Sequence, residues 1–329
     1  MSVVRWGVLG VASIAVRQVI PAIKASRNGV VTAIASRDVE RARASAAQLG
    51  VAAWCGSYDE LLQRTDVDAV YVPLPNHLHV PWSVRALQAG KHVLCEKPIA
   101  LNAPEARVLH DAARAHPGLK VMEAFMYRFH PQWVRAQSLV RDGAIGPLGT
   151  VQTFFSYFND DAANVRNIAP MGGGALLDIG CYGISLSRLL FGREPVRVLG
   201  YMEFDPRFGT DRLTSAVLDF DGGSGTVTCA TQLARHQRAN IIGARGRIEI
   251  EIPFNAPGDR PCRIFLQRGG SSEEISFEAC NQYTEQADRF ALAVLNESPV
   301  PTSIDDAVQN MRVIDAVAKS ARTGLWERP

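Results

Sequence analysis

The sequence predicts two successive domains. The first is a doubly wound α/β domain with a parallel sheet. The second is an α+β domain with a large, mostly antiparallel, open-faced sheet. Three observations carry this reading. Short apolar, β-branched runs alternate with amphipathic helical patterns through the first third of the chain, as in a parallel sheet covered on both faces. From about Gly149 onward, strand patterns instead follow one another, separated by turn signals such as DGGSG and RGG. The 329 residues suffice for two sizeable cores. The change of pattern places the boundary near residue 122, giving domains 1–122 and 123–329.

The elements of the first domain follow in order. VVRWGVLG (3–10) is a strand stopped by glycine, and SIAVRQVIPAIKAS has the spaced apolar positions of a helix. VVTAIASR (30–37) is the second strand. DVERARASAAQLG is a polar-faced helix, with Asp38 as N-cap and Gly50 as C-cap. DAVYVPLP (68–75), KHVLCEKP and LKVMEAFM supply three more strands, separated by the helices HVPWSVRALQAG and APEARVLHDAARAH. The second domain holds eight strand patterns read as an antiparallel meander, from GTVQTFFSYF to EEISF. One helix, GGGALLDIGCYGISLSRLLFG, interrupts it early, and helices close the chain.

Composition excludes several function classes. Lys plus Arg number 35 and Asp plus Glu 33, so the net charge of +2 makes no global case for nucleic acid or membrane binding. No signal-peptide pattern and no run of roughly 20 apolar residues is read, so the expected location is cytoplasmic. The six cysteines form no CxxC pair, so neither a zinc site nor a redox pair is expected, and the metal expectation is none.

Four stretches carry the chemistry. GVLGVASIA is a degenerate G-x-G-x-x-G, read as Gly10-x-Ala12-x-x-Ala15, which follows a strand and opens a helix where backbone N–H groups can hold a pyrophosphate. The next strand ends in Ser36 and Arg37 rather than in an acid. With Arg41 one helical turn on, a hydroxyl and guanidinium groups suit a ribose 2′-phosphate, hence NADP with NAD possible. In YVPLPNHLH, Asn76, His77 and His79 lack metal-ligand spacing, and a cofactor-contacting or structural role is expected of them. In MGGGALLDIGCYG, Asp178 and Tyr182 stand i, i+4, on one helix face, as a carboxylate and phenol suited to acid/base work. Finally, VLCEKPIA ends a strand on Glu96 and Lys97.

Together GVLGVASIA, AGKHVLCEKP, MEAFMYRFHP and GGGALLDIGCYG resemble the Gfo/Idh/MocA family of NAD(P)-dependent oxidoreductases, in order and over essentially the whole chain. The resemblance is closest to the branch of glucose–fructose oxidoreductase, NADP-dependent xylose dehydrogenase and dimeric dihydrodiol dehydrogenase. Many other members carry histidine where this chain has Tyr182. The resemblance implies an N-terminal Rossmann domain and catalytic roles for Lys97, Tyr182 and Asp178. It implies cofactor contacts at Gly10, Val11, Ala12, Ser13, Ile14, Ser36, Arg37, Leu74, Asn76 and Glu96, to which the sequence reading adds Arg41, His79 and Lys97.

In physical terms, ligands of open α/β sheets bind beyond the carboxyl ends of the strands, where Glu96 and Lys97 stand. Glu96 can orient the nicotinamide ribose. A Lys97 ammonium would lower the pKa of the Tyr182 phenol, which is ordinarily about 10 and too high for a base near neutrality. The expected activity is hydride transfer between nicotinamide and a secondary hydroxyl or carbonyl of a sugar or polyol. The alternatives are a trans-dihydrodiol dehydrogenase, a nucleotide-linked ketosugar reductase, or, in a different class, a non-catalytic NADP-binding redox sensor. Asn159, Asp160 and Arg166 in the YFNDDAANVRN loop, with Asp161, are candidate substrate contacts. Alternation in RIEIEI and GTVTCATQL leaves one sheet face for a second copy, so a homodimer or dimer of dimers through the C-terminal sheet is expected.

Overall fold

A computed structural model describes residues 3–329. Its contacts divide the chain into two units: Met1–Met126 with Gln282–Val308, and Tyr127–Asn281 with Gln309–Pro329.

The first unit strings together β1 (Val4–Leu9), α1 (Ile20–Ala25), β2 (Gly29–Ala35), α2 (Val39–Leu49), β3 (Ala53–Cys55), α3 (Tyr58–Leu62), β4 (Ala69–Val72), α4 (His79–Gln88), β5 (His92–Cys95), α5 (Ala103–Ala115) and β6 (Val121–Glu123). The strands lie in the order β3-β2-β1-β4-β5-β6, every pair parallel. The order reverses between β1 and β4, the crevice where such sheets bind ligands. Asp38 caps α2 by accepting from Arg41 N at 3.1 Å, and Gly50 ends it at φ 60°. The sheet has six strands where the pattern predicts five. The extra strand, β3, has only three residues and sits at the edge, too short to show a period.

The unit is completed by residues far away in sequence, so the expected cut after residue 122 does not describe it. The helix Gln282–Leu295 packs its Phe290 ring 5.3 Å from that of Trp6. From the same helix, Asp288 accepts from the backbone N–H groups of Arg27 and Asn28, both at 3.0 Å. An amphipathic pattern shows that a helix covers something apolar, but not which sheet it covers.

The second unit opens with α6 (Pro131–Arg141) and β7 (Leu148–Phe158). A π-helical turn, Leu176–Gly180, then runs into α7 (Cys181–Phe191). β8 (Arg197–Phe204), β9 (Asp211–Asp219), β10 (Ser224–Ala230), β11 (Gln232–Gly243), β12 (Gly246–Ile250), β13 (Cys262–Arg268) and β14 (Ser271–Phe277) follow. The sheet order is β14-β13-β12-β11-β7-β10-β9-β8. It is not a single meander: β7 lies at its centre, parallel to β10 and antiparallel to β11, and joins two antiparallel runs.

The helices lie on one face of this sheet. A Cβ on Gly183 would fall 2.4 Å from Thr153 Oγ1, and one on Gly180 would fall 2.8 Å from Cys229 Sγ. Both positions therefore need glycine for α7 to lie this close. The segment Ala169–Phe191 is long and apolar enough to cross a membrane by length and composition, contrary to the sequence expectation. However, 83% of its most apolar window is buried, as in a core helix. On the opposite face, Tyr201, Val217, Arg238 and Glu249 point outward, and no helix among the described residues covers them.

One buried histidine is expected to make the fold acid-sensitive. His130 is fully buried and caps α6, its Nδ1 accepting from Gln132 N at 3.2 Å. Burial pushes its pKa down to about 4. A depressed folded-state pKa gives stability that is complete above the unfolded value near 6.5 and is lost as pH falls toward 4. His130→Asn keeps a capping acceptor but cannot titrate. Urea unfolding at pH 7 and pH 4.5 should show the variant losing about 2–3 kcal/mol less than the wild type over that interval. Equal losses would mean that His130 does not govern the acid limb.

Candidate active site

At the end of β1 the chain turns through Gly10 at φ 112°, where a Cβ would lie 3.1 Å from Leu74 Cδ2. Glycine thus brings Leu74 against the turn. The helix beyond Val11, Ala12, Ser13 and Ile14 opens without a side-chain cap. Backbone N–H groups left uncapped at a helix start suit a phosphate. Ser36 is buried at the end of β2, while Arg37 and Arg41 are exposed beside it. Arg41 reaches back to the Val11 carbonyl at 3.5 Å. Asp38, the acid nearest to this strand end, is engaged as the α2 cap. The sequence reading missed Tyr58. Burial pushes its phenol up, while Arg37, within hydrogen-bonding reach, and Arg41 pull it down. A buried hydroxyl and two guanidinium groups at the strand end fit a 2′-phosphate.

At the tip of β5, the half-buried Glu96 accepts a 2.6 Å hydrogen bond from the Tyr71 hydroxyl. Burial and the Glu96 charge push both Tyr71 and Tyr283 up, so both phenols stay protonated donors beside the carboxylate. The sequence reading also missed Tyr71, the one polar side chain in a fully buried strand. Tyr283 arrives from the distant helix, with no local signal. Lys97 follows, its N–H donating to Glu96 Oε2 at 3.3 Å, and its bond to Pro98 is cis. Asn76 begins the short helical turn Asn76–Leu78.

Of the two roles expected of His79, the structure gives it the structural one. It is 1% exposed, with Nδ1 at 2.7 Å from Pro98 O and Nε2 at 2.7 Å from Leu74 O. With both ring nitrogens on backbone carbonyls, it fastens the Leu74 loop to the segment after Lys97 and has no polar atom left for a cofactor. Burial pushes its pKa down to about 4 against the pull of the two carbonyls, and the neutral ring donates its single N–H to one of them.

In the second unit, Tyr182 is 4% exposed and ringed by Phe254, Tyr127 and Phe155, at centroid distances of 5.1, 5.8 and 5.9 Å. Asp178 belongs to the π-helical turn preceding α7. Its Oδ2 accepts from the Tyr157 hydroxyl at 2.5 Å and from Arg166 Nε at 2.8 Å. The Asp178 charge raises the pKa of Arg166, and burial with the same charge raises that of Tyr157, so the guanidinium stays charged and the phenol protonated.

Of the four expected substrate contacts, Arg166 is the one brought to this carboxylate. Asn159 Oδ1 instead accepts from Asp161 N at 3.0 Å and shapes the loop, and Asp160 is exposed, 3.9 Å from Arg207. The reading missed Tyr157, which stands near the end of β7 in an alternating apolar run where its hydroxyl gave no sign of a partner.

Residues 4–125 match the GFO/IDH/MocA oxidoreductase family, NAD-binding Rossmann fold, and residues 133–249 match the GFO/IDH/MocA C-terminal domain. An uncharacterized oxidoreductase of Rhizobium meliloti is 44% identical over 99% of this chain and 99% of its own length. The D-xylose 1-dehydrogenase (NADP(+)) 2 of Haloferax volcanii is 37% identical over 97% and 98%. A 3-ketoreductase from Actinomadura kijaniata, solved with NADP and TDP-benzene, superposes with a TM-score of 0.91 at 33% identity, covering 97% of this chain and 98% of that one. The likeness runs from the dinucleotide turn through the Asp178 helix and the sheet beneath it, and this chain belongs to the GFO/IDH/MocA family of oxidoreductases.

Proposed function

We propose that this chain is an NADP-preferring dehydrogenase acting on a secondary hydroxyl of a sugar or polyol. The observation that carries the reading is the Asp178 cluster: a carboxylate held by Arg166 and Tyr157, one turn before the ring-enclosed phenol of Tyr182. Full-length similarity to a xylose dehydrogenase supports the substrate class. In the first unit, Gly10 to Ile14 would take the pyrophosphate, Ser36, Arg37 and Arg41 the 2′-phosphate, and Glu96, oriented by Tyr71, the nicotinamide ribose. A bound nicotinamide supplies the hydride acceptor.

Tyr182 takes the substrate hydroxyl proton during oxidation and returns it during reduction. Lys97 is assigned the positive charge that lowers the phenol's pKa toward neutrality. Asp178, already paired with Arg166, holds the site in register. Similarity to the ketoreductase supports a second reading, reduction of a nucleotide-linked ketosugar. Turnover on free aldoses and polyols, compared with a dTDP-linked ketosugar, separates the two. We further propose that the enzyme is cytoplasmic, and that a second copy covers the helix-free sheet face.

Tyr182→Phe keeps the ring but removes the transferable proton, and should lower kcat by about 10²–10⁴-fold with NADP affinity nearly unchanged. Lys97→Met should be at least as damaging and should shift the alkaline limb of the pH profile to higher pH. Folded variants of both residues with wild-type turnover would return them to packing roles.

Arg37→Ala should weaken NADP binding by roughly 1.5–3 kcal/mol, the range for hydrogen bonds to charged groups, and leave NAD binding little changed. Equal losses for the two cofactors, read by fluorescence titration with the reduced forms NADPH and NADH, would make Arg37 structural.

Sedimentation at micromolar concentration should give a mass of two or four chains. A single-chain mass would remove the proposed partner from the open sheet face.

A further inference from the structure

The start of the helix that carries Asp178 and Tyr182 is held from outside. Ala175, its N-terminal residue, offers no capping side chain. The cap comes instead from the sheet, where Asp211 is the first residue of β9. Its side chain is buried, with Oδ2 accepting from Leu176 N at 2.8 Å and from Thr214 Oγ1 at 2.6 Å, and the Ala175 backbone bonds it too. The glycines are fitted to this contact. Gly174 adopts φ 116°, and a Cβ there would lie 1.9 Å from Asp211 Oδ1. Gly174 N also donates to the carbonyl of Arg166 at 2.9 Å, and a Cβ on Gly173 would lie 2.5 Å from that same oxygen. One glycine turn therefore connects the Asp211 carboxylate to the backbone of the residue whose guanidinium holds Asp178.

We propose that Asp211 is a positioning residue: its carboxylate fixes the Ala175–Leu176 backbone, and through it the places of Asp178, two residues on, and Tyr182. The proposal rests on the assignment of proton transfer to Tyr182. The carboxylate bonds the backbone of Leu176 and the Thr214 hydroxyl, so its effect on catalysis passes through the helix. Burial pushes its pKa up to about 6, so keeping it ionised at neutral pH costs the fold stability. The charge strengthens the hydrogen bonds that the carboxylate accepts. Asn has the same shape without it.

The test compares Asp211→Asn with the wild type by amide hydrogen exchange and by steady-state kinetics. Exchange of the amides of residues 175–182 should speed up about 10- to 100-fold, the range for a lost hydrogen bond to a charged group. kcat should fall about 10²-fold, as for displaced catalytic groups, with KM and NADP affinity little changed. Gly174→Ala, which drives a methyl into the carboxylate while keeping Asp211, should reproduce both effects, and the double variant should be little worse than either single. Unchanged exchange would overturn the proposal, as would faster exchange with wild-type kcat, which would reduce Asp211 to a stabilising cap. The exchange measurement needs no turnover, so failure of the functional reading shows separately, as a wild-type enzyme inactive on every sugar and polyol.

Discussion

The second unit depends on one close approach, that of a glycine-bearing helix to the middle of an eight-stranded sheet. At Gly183 and Gly180 the helix surface carries no side chain, so its backbone sits directly over Thr153, Val227 and Cys229. Gly225, on the strand side, does the same for Ser187. A methyl at any of these points would demand a shift of the helix, because packed interiors leave no room for one. With the helix fixed at this depth, the next side chains on its surface are placed by default. Tyr182 falls among three aromatic rings, and Asp178 meets Tyr157 rising from β7.

The electrostatics of the site follow from that depth. A carboxylate buried beside a sheet must be paired or lose its charge. Asp178 is paired twice, by a guanidinium and a phenol, and the resulting cluster is nearly neutral. Neutral hydrogen-bonding groups suit a polyhydroxyl ligand better than a free anion would. The first unit solves a similar problem at Glu96 with the buried hydroxyl of Tyr71. In both units a carboxylate is oriented by a tyrosine from a neighbouring strand.

What was legible in the sequence depended on range. Asp38 and Gly50 mark the ends of one helix because capping is a local contest between backbone and side chain. The Gly10 turn, the Ser36-Arg37 strand end and the Glu96-Lys97 tip were visible because each is contiguous. Partners brought together by tertiary structure were not visible. Tyr157 lies 21 residues from Asp178, and Asp211 lies 35 residues from Leu176. His79 misled because a histidine's residue type does not reveal whether its nitrogens face a ligand or the protein's own carbonyls. The central strand β7 misled because its parallel partner, β10, arrives only after an intervening helix and two strands.

The return of residues 282–308 to the first unit bears on how the protein is made. The nucleotide-binding sheet is synthesised well before the helix that packs Phe290 on Trp6 and ties Asp288 to Arg27, 261 residues earlier, and to Asn28. Until then the apolar surface around Trp6 waits uncovered, and transiently exposed surface of this kind makes a nascent chain aggregation-prone. Completion of the first unit therefore waits until that helix has been made. The arrangement also ties the two halves together in evolution, because recombination that exchanged one half at residue 126 would leave a sheet without its cover.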